Sequence, residues 1–352
     1  MAKSAVVVGA GVAGVATALG LRRAGWKVTV LERRREAERY GAAFGIHPTA
    51  QAALERLGAG EHFHAGAVPY RGARIRRPDG TVLASLPLER IERKAGRPEL
   101  LVSRPRLLDA LFEALDRAGD VALEFGRTAS DVRALRERHD LVVGADGIGS
   151  AVRRECFGER SRQRRVGTVA WIGIADFESP VHGETWGAGR FFGLTPIEPG
   201  RTNWYATASG VTAPEELREL FAGWHDPIPR ILSRTDPDTW LRYEMRHLHP
   251  ALPSFVAAGD RTRGGVALVG DAAHAMTPNL GQGACTALLD AEALARACAT
   301  ADVPAALPTA LRAYDRERRR AAQRVAFGSR TLHRFMATRH PGLRNSLVRL
   351  LP

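Results

Sequence analysis

The first apolar run, Ala5-Val6-Val7-Val8, is short, β-branched and uninterrupted, the pattern of a strand buried on both faces. Glycines follow at positions 9, 11 and 14, and Val12 to Ala24 then repeats at helical spacing, with Leu19 and Leu21 among alanines. A second strand, Lys27 to Leu31, ends in Glu32. Helical spacing returns in Thr49–Leu57, where Ala50, Ala53, Leu54 and Leu57 share a face and Gly58 is a stop signal. It returns again after Pro105, with Leu107, Leu108, Leu111 and Phe112 at core spacing and Ser103 set to cap them. Val121–Phe125 and Leu141–Val143 read as further short strands.

From Val166 to about Leu252 the character changes. Strand-like runs predict sheet at Gly167–Phe177, Arg190–Thr195, Asn203–Ser209 and Trp240–Leu248, with one short helix over Pro214–Trp224. Five of the six tryptophans (Trp171, Trp186, Trp204, Trp224, Trp240) lie in this stretch. Arg71–Arg77 and Thr81–Leu86 alternate around the turn signal Pro78-Asp79-Gly80, which predicts a hairpin that joins the same sheet. Glu89–Glu99 is charged, has no clear period, and reads as a connector. Past Gly265 the α/β pattern resumes, with a small-residue helix over Ala284–Ala299, a basic helix over Leu311–Arg324 and a tail. The expectation is an α/β fold: a Rossmann-like dinucleotide domain over 1–69, 99–164 and 259–340. A mostly antiparallel sheet domain over 70–98 and 165–258 is inserted into it, and 341–352 form the tail.

Composition narrows the class. Over 352 residues, 45% hydrophobic and 25% charged content suit a soluble globular protein. The net charge of +13 raises the question of nucleic acid. Lysine occurs only at Lys3, Lys27 and Lys94, the arginines are scattered, and no basic stripe interleaved with aromatics accompanies them, so no nucleic-acid partner is expected. Cys156, Cys285 and Cys298 are too few and too far apart for a disulfide framework or a zinc site. With no signal-like amino terminus and no long apolar run, a cytoplasmic location and no membrane association are expected.

Three motifs carry the chemistry. The Gly9-x-Gly11-x-x-Gly14 spacing between strand and helix supplies a tight turn, a bare backbone for a diphosphate, and close helix packing, with Glu32 at the distance of a ribose-binding acid. The helix amino terminus behind it favours negative charge. Asp140–Gly147 runs an apolar strand into Asp146-Gly147, followed by Ser150, Val152 and Arg153. Gly265–His274 ends a strand in Gly270-Asp271-Ala272-Ala273-His274, followed by Pro278 and Gly281-Gln282-Gly283. Acids at strand carboxyl ends lie where open α/β sheets bind ligands.

These three motifs, in this order and over nearly the whole chain, resemble the flavin-dependent aromatic hydroxylases, single-component monooxygenases of the p-hydroxybenzoate hydroxylase fold. Arg104-x-x-Leu107 is similar to that family's flavin-contacting arginine. The resemblance implies non-covalent FAD, with adenosine at Glu32 beside Arg33 and pyrophosphate at Gly9, Gly11, Val12, Ala13 and Gly14. It implies support of the pyrophosphate region by Asp146 and a ribityl hydroxyl on Asp271. The flavin pyrimidine edge would lie at Pro278, Gly281, Gly283 and Ala284, and backbone would pass the ring at Gly45. It further implies NADPH or NADH as co-substrate, a C4a-hydroperoxyflavin, and oxygen transfer to an aromatic or polyketide-like small molecule by a monomer or homodimer. Trp171-Ile172-Gly173 departs from the family's Trp-Arg-Gly and removes a common polar pocket group. Leu289-Asp290-Ala291 departs from Glu-Asp-Ala, and the thioredoxin-like carboxy-terminal domain of larger members is not expected.

Trp171, Phe192 and Tyr205, on strands expected to roof the active site, are the substrate candidates, each weighed against a plain core role. No catalytic residue is assigned. His47 is the one candidate for steering a phenolic proton, balanced against a simple loop histidine. His274 reads first as a structural histidine. His62-x-His64 and His247-x-His249 lack further ligands, so no metal is expected. The competing readings are a halogenase or prenyl-lipid reductase, whose W-x-W-x-I-P signature or membrane-binding stretch is absent, and an FAD-binding accessory protein without turnover.

Overall fold

A computed structural model describes residues 3–38, 41, 43–260, 263–301 and 304–349. Its centre is a six-stranded sheet in the order Val256–Ala257, Gly265–Leu268, Leu141–Gly144, Ser4–Val8, Lys27–Glu32, Val121–Phe125. Every pairing is parallel except the one at the Val256–Ala257 edge. Parallel strands are covered on both faces, which explains their unbroken apolar runs: Val7, Val142, Val143, Val266 and Leu268 are fully buried. Burial of one such side chain contributes about 1.5–3 kcal/mol. Helix Val12–Arg23 crosses from the first strand to the second and packs on helix Gly283–Ala299. Their approach is close at Gly20, where a side-chain carbon would come within 2.6 Å of Ala295 Cβ.

The second sheet has seven strands in the order Leu241–His249, Arg162–Ala175, Arg201–Ala208, Phe191–Glu198, Gly183–Trp186, Arg74–Arg76, Val82–Ser85. The hairpin does join it, through parallel pairing of Arg74–Arg76 with Gly183–Trp186. Helices Pro214–Phe221 and Ile228–Arg234 bear on one face, over a core of Trp171, Phe192, Trp204, Phe221 and Trp240. The other face turns toward a small sheet of Ala43–Ile46, Leu100–Ser103 and Val68–Pro69; there Asn203 Oδ1 accepts the Ala43 N–H at 3.2 Å.

Several segments differ from the periodicity reading. Leu88–Ala95 is a helix ended by left-handed Gly96, not a connector; only Leu88 in it is buried, so it carries no apolar stripe to read. Strand Gly183–Trp186 is four residues long and went unseen for that reason. The segment after Pro214 holds two helices, the second beginning among Pro227 and Pro229. The basic helix runs on to Met336, because Ser329, His333 and Met336 continue its buried face. Helix Pro341–Arg349 follows. It is anchored by Arg344, 2% exposed, whose guanidinium donates to the carbonyls of Gly187 (2.7 Å), Trp186 (3.1 Å) and Met336 (3.1 Å). As expected, Ser103 caps helix Arg104–Ala118 and Gly58 ends helix Pro48–Leu57 in a left-handed turn.

Candidate functional site

The first motif is built as its spacing requires. Gly9 has φ +107°, and a side-chain carbon there would lie 2.4 Å from the Ala145 carbonyl oxygen. At Gly14 such an atom would fall 1.8 Å from the Gly9 oxygen, so the helix can rest on the turn only without it. At Gly11 it would meet no protein atom within 4 Å. The helix behind has no side-chain cap and no acid in its first turn, which leaves its N–H groups and positive dipole end free. Glu32, 9% exposed, is oriented by the N–H groups of Ala10 (2.8 Å to Oε2) and Arg34 (2.9 Å to Oε1). Arg33 is exposed beside it.

The second and third motifs lock to each other. Asp146 Oδ2 accepts from the N–H groups of Ala151 (2.6 Å) and Val152 (3.3 Å), while its buried Oδ1 has no partner among the described residues. Arg153, 2% exposed, donates to the carbonyls of Ile148 (2.6 Å) and Ala272 (2.9 Å), so one guanidinium spans both motifs. Gly270, at φ +57°, packs on the first motif: a side-chain carbon would lie 2.8 Å from Ala13 Cβ. Asp271 then stands open to the cleft, yet the cleft walls strip enough water to raise its carboxyl above the usual range, against the charges of His274, Arg104 and Arg153.

His274 is accounted for by Asp290, the middle residue of Leu289-Asp290-Ala291. Its Nε2 lies 2.5 Å from Asp290 Oδ2, which also takes the Gly270 N–H at 3.1 Å; Arg318 Nε donates to Oδ1 at 2.9 Å. Burial alone would raise the Asp290 carboxyl, but His274 and Arg318 outweigh it and the net shift is downward. The cluster is structural: it holds the Gly270–His274 turn to helix Gly283–Ala299.

That helix begins after left-handed Gly281 with no side-chain cap and no acid in its first turn. Side-chain carbons at Gly281 and Gly283 would meet no protein atom within 4 Å; Ala284 follows, and exposed Pro278 precedes the turn. Cys285 in the first turn donates its thiol to the Gly45 carbonyl (3.1 Å) and accepts the His47 N–H (3.3 Å), which ties strand Ala43–Ile46 to the helix; burial pushes that thiol up to about 12. Arg104 ion-pairs with Glu38 at 3.0 Å, lies over the Phe44 ring, and has a buried Nε without a partner among the described residues. Bare space at Gly11, Gly281 and Gly283, two uncapped helix starts, and orphaned atoms on Asp146 and Arg104 fit an elongated anionic cofactor with a planar ring.

The three substrate candidates divide. Trp171 and Phe192 both stand opposite Ala206 and point into the tryptophan core, 3% and 1% exposed. Tyr205 is one residue on and faces the small sheet instead. His47 caps no helix with its side chain, pairs with Thr49 at 3.2 Å, and is lowered by burial. Sequence reasoning passed over Tyr243, which stands on the same face as Tyr205 and keeps 41% of its surface open. Although part of the ring is open, its phenol is shielded from water and lifted to about 12, with the charge of Asp271 adding to the shift and that of Arg104 opposing it. Strand alternation in Leu241–His249 was the available signal. Among the described residues no group of His, Cys, Asp and Glu could hold a metal, and no helix is long and apolar enough to cross a membrane.

A Rossmann-type domain whose ligand-facing turns meet an antiparallel sheet across a cleft defines a dinucleotide-dependent flavoprotein. The FAD binding domain family model matches residues 2–329. The chain belongs to the FAD-dependent aromatic hydroxylase family. It is 35% identical over 347 residues to the aurachin C monooxygenase/isomerase of Stigmatella aurantiaca, covering 92% of this chain and 87% of that one. It is 32% identical over 372 residues to the 2-heptyl-3-hydroxy-4(1H)-quinolone synthase of Pseudomonas aeruginosa, covering 99% and 94%. The crystal structure of Klebsiella pneumoniae HpxO with FAD and uric acid superposes with a TM-score of 0.83 at 26% identity, covering 99% and 92%.

Proposed function

We propose that the protein is an FAD-dependent monooxygenase that uses NADPH or NADH and O2 to hydroxylate or epoxidise an aromatic or polyketide-like small molecule. The observation that carries this reading is the convergence of three separated motifs on one cleft, with bare glycine backbone at both helix starts and a second sheet facing them. When bound, the flavin supplies hydride acceptance from the nicotinamide and activation of oxygen.

The chain supplies the rest. The Gly9–Gly14 turn with Val12 and Ala13 would take the diphosphate on its N–H groups, with Asp146 behind it. Glu32, already fixed by two amides, has lone pairs left for ribose hydroxyls, with Arg33 at the rim. Asp271 would accept a ribityl hydroxyl. Gly281, Gly283 and Ala284, with Pro278 before them, would present N–H groups and a helix dipole to negative charge on the pyrimidine edge, while Gly45 backbone passes the ring and Arg104 flanks it. Tyr205 faces the substrate space, and Trp171 and Phe192 hold that sheet from behind. Cys285 has its thiol engaged by backbone, which supports a flavin held without a covalent bond.

The purified protein is expected to be yellow and to release its flavin on denaturation; flavin that stays on the chain contradicts this. Asp271→Ala is expected to purify colourless, and a fully loaded variant refutes its role. The functional test is NADPH and NADH oxidation against a panel of phenols, indoles and quinolones, with oxygen uptake and product followed together. Substrate-stimulated oxidation coupled to a hydroxylated or epoxidised product is expected. Bound FAD without any such stimulation leaves an accessory flavoprotein.

A further inference from the structure

Four polar side chains meet on the cleft face of the seven-stranded sheet. Tyr205 donates its hydroxyl to Glu184 Oε1 at 3.0 Å, and Trp186 Nε1 donates to Oε2 at 2.6 Å, so this carboxylate is fixed by two neutral donors. Tyr205 lies across Gly193 on the neighbouring strand, where a side-chain carbon would come 2.0 Å from the ring; the strand is bare where the phenol rests. Tyr70 is 7% exposed, and its hydroxyl makes no hydrogen bond among the described residues. Its N–H donates to the Glu99 carbonyl at 2.9 Å, which sets the two residues side by side. The Glu99 carboxylate lies over Gly45, with Oε1 2.3 Å from where a side-chain carbon would stand, and none of the described residues donates a hydrogen bond to it. Gly45 is the backbone tied to Cys285 at the start of the helix expected to face the flavin.

The electrostatics have one sign. Burial raises both carboxyls. Both phenols are raised by burial and further by the charges of Glu184 and Glu99. Among the described residues, no arginine or lysine contributes to the shift of any of the four. A ring carboxylate entering here would be set against two carboxyl groups in a water-poor space with no cation brought in to offset it, whereas a ring N–H or O–H would meet the Glu99 carboxylate, which takes no other donor among the described residues. A hydrogen bond from a conjugated N–H or O–H to a carboxylate also pushes electron density into the ring, which suits attack by an electrophilic oxygen donor.

We infer that Glu99, together with Tyr70 and the Tyr205–Glu184 pair, determines substrate choice, admitting an uncharged aromatic ring that presents N–H or O–H donors and rejecting rings that carry a carboxylate. The inference rests on the monooxygenase reading only in taking this cleft as the substrate site. Glu99 is the member that touches the ring; Glu184 positions Tyr205.

The test is binding to the FAD-loaded holoenzyme, read by change in the visible flavin spectrum and by calorimetry, with no turnover required. The probes are 4-quinolone, its N-methyl derivative, which lacks the donor, and kynurenate, the same ring with a carboxylate. Wild type is expected to bind 4-quinolone about tenfold or more tighter than either of the others, the scale of one hydrogen bond to a charged group. Glu99→Gln is expected to weaken 4-quinolone and to bring kynurenate within about threefold of it. Equal or tighter wild-type binding of kynurenate or N-methylquinolone, or binding of none of the three, overturns the inference, and the wild-type comparison stands even where the variant fails to fold. A protein that binds as expected but never couples NAD(P)H oxidation to product refutes the monooxygenase reading alone. One that turns over carboxylated rings refutes this inference alone.

Discussion

Asp290→Ala is expected to be the most destabilising single substitution at the cofactor end of the chain, by about 3–5 kcal/mol in equilibrium unfolding. The side chain is fully buried and serves three partners at once: His274, Arg318 and the Gly270 N–H. Its removal leaves a guanidinium without its carboxylate in a site where Arg318 is only 9% exposed, and that uncompensated charge is the larger part of the cost. Asp290→Asn keeps the shape and one acceptor, and is expected to lose less. The pH dependence gives an independent check. The folded carboxyl is shifted down on balance, so its contribution is complete above the ordinary carboxylate range, about 3.9 for a free aspartate, and is lost as pH falls through the lower folded value. The alanine variant should therefore lose part of the acid sensitivity of wild type. Unfolding curves that differ by less than about 1 kcal/mol would mean that the cluster is already relaxed or wet.

This cluster also marks how far the sequence could be read. The strands and helices of the dinucleotide domain were legible because parallel strands buried on both faces carry unbroken apolar runs, and because Gly9, Gly11 and Gly14 have separate steric reasons that survive in the fold. Asp290 was not, since its partners at 274 and 318 come from a turn and a second helix, and helical spacing alone marks it only as a polar residue among alanines. The substrate side was harder for a different reason. Residues 168–175 of strand Arg162–Ala175, and most of strands Phe191–Glu198 and Arg201–Ala208, are buried on both faces, one beneath helices and one against the small sheet. Alternation therefore says which residues share a face but not which face meets the ligand: Trp171 and Phe192 go one way, Tyr205 and Tyr243 the other. Glu99 was invisible because nothing local buries it. It closes a segment that read as a charged connector, and only the return of strand Leu100–Ser103 beside Ala43–Ile46 lays its carboxylate over Gly45.

The first glycine motif yields the sharpest separation of fold from function. Gly14→Ala is expected to fail as a fold: the added carbon would sit 1.8 Å from the Gly9 carbonyl oxygen, a backbone atom that cannot move without opening the turn between the first strand and its helix. A loss of about 3 kcal/mol, or no recoverable protein, is expected. Gly11→Val is expected to do the opposite. Gly11 has φ −79° and ψ −178°, extended backbone open to any residue, and its side-chain direction meets no protein atom within 4 Å. The apoprotein should stay within about 1 kcal/mol of wild type, the usual range for an exchange at a helix N-cap. It should purify without flavin, because the two methyl groups occupy the approach of the diphosphate to the free N–H groups of Val12 and Ala13. Flavin content, measured by absorbance beside a thermal unfolding curve, reads both variants in one preparation. A yellow Gly11→Val protein with wild-type flavin content would move the diphosphate away from this turn, and with it the direction in which the cofactor runs toward Asp271 and the start of helix Gly283–Ala299.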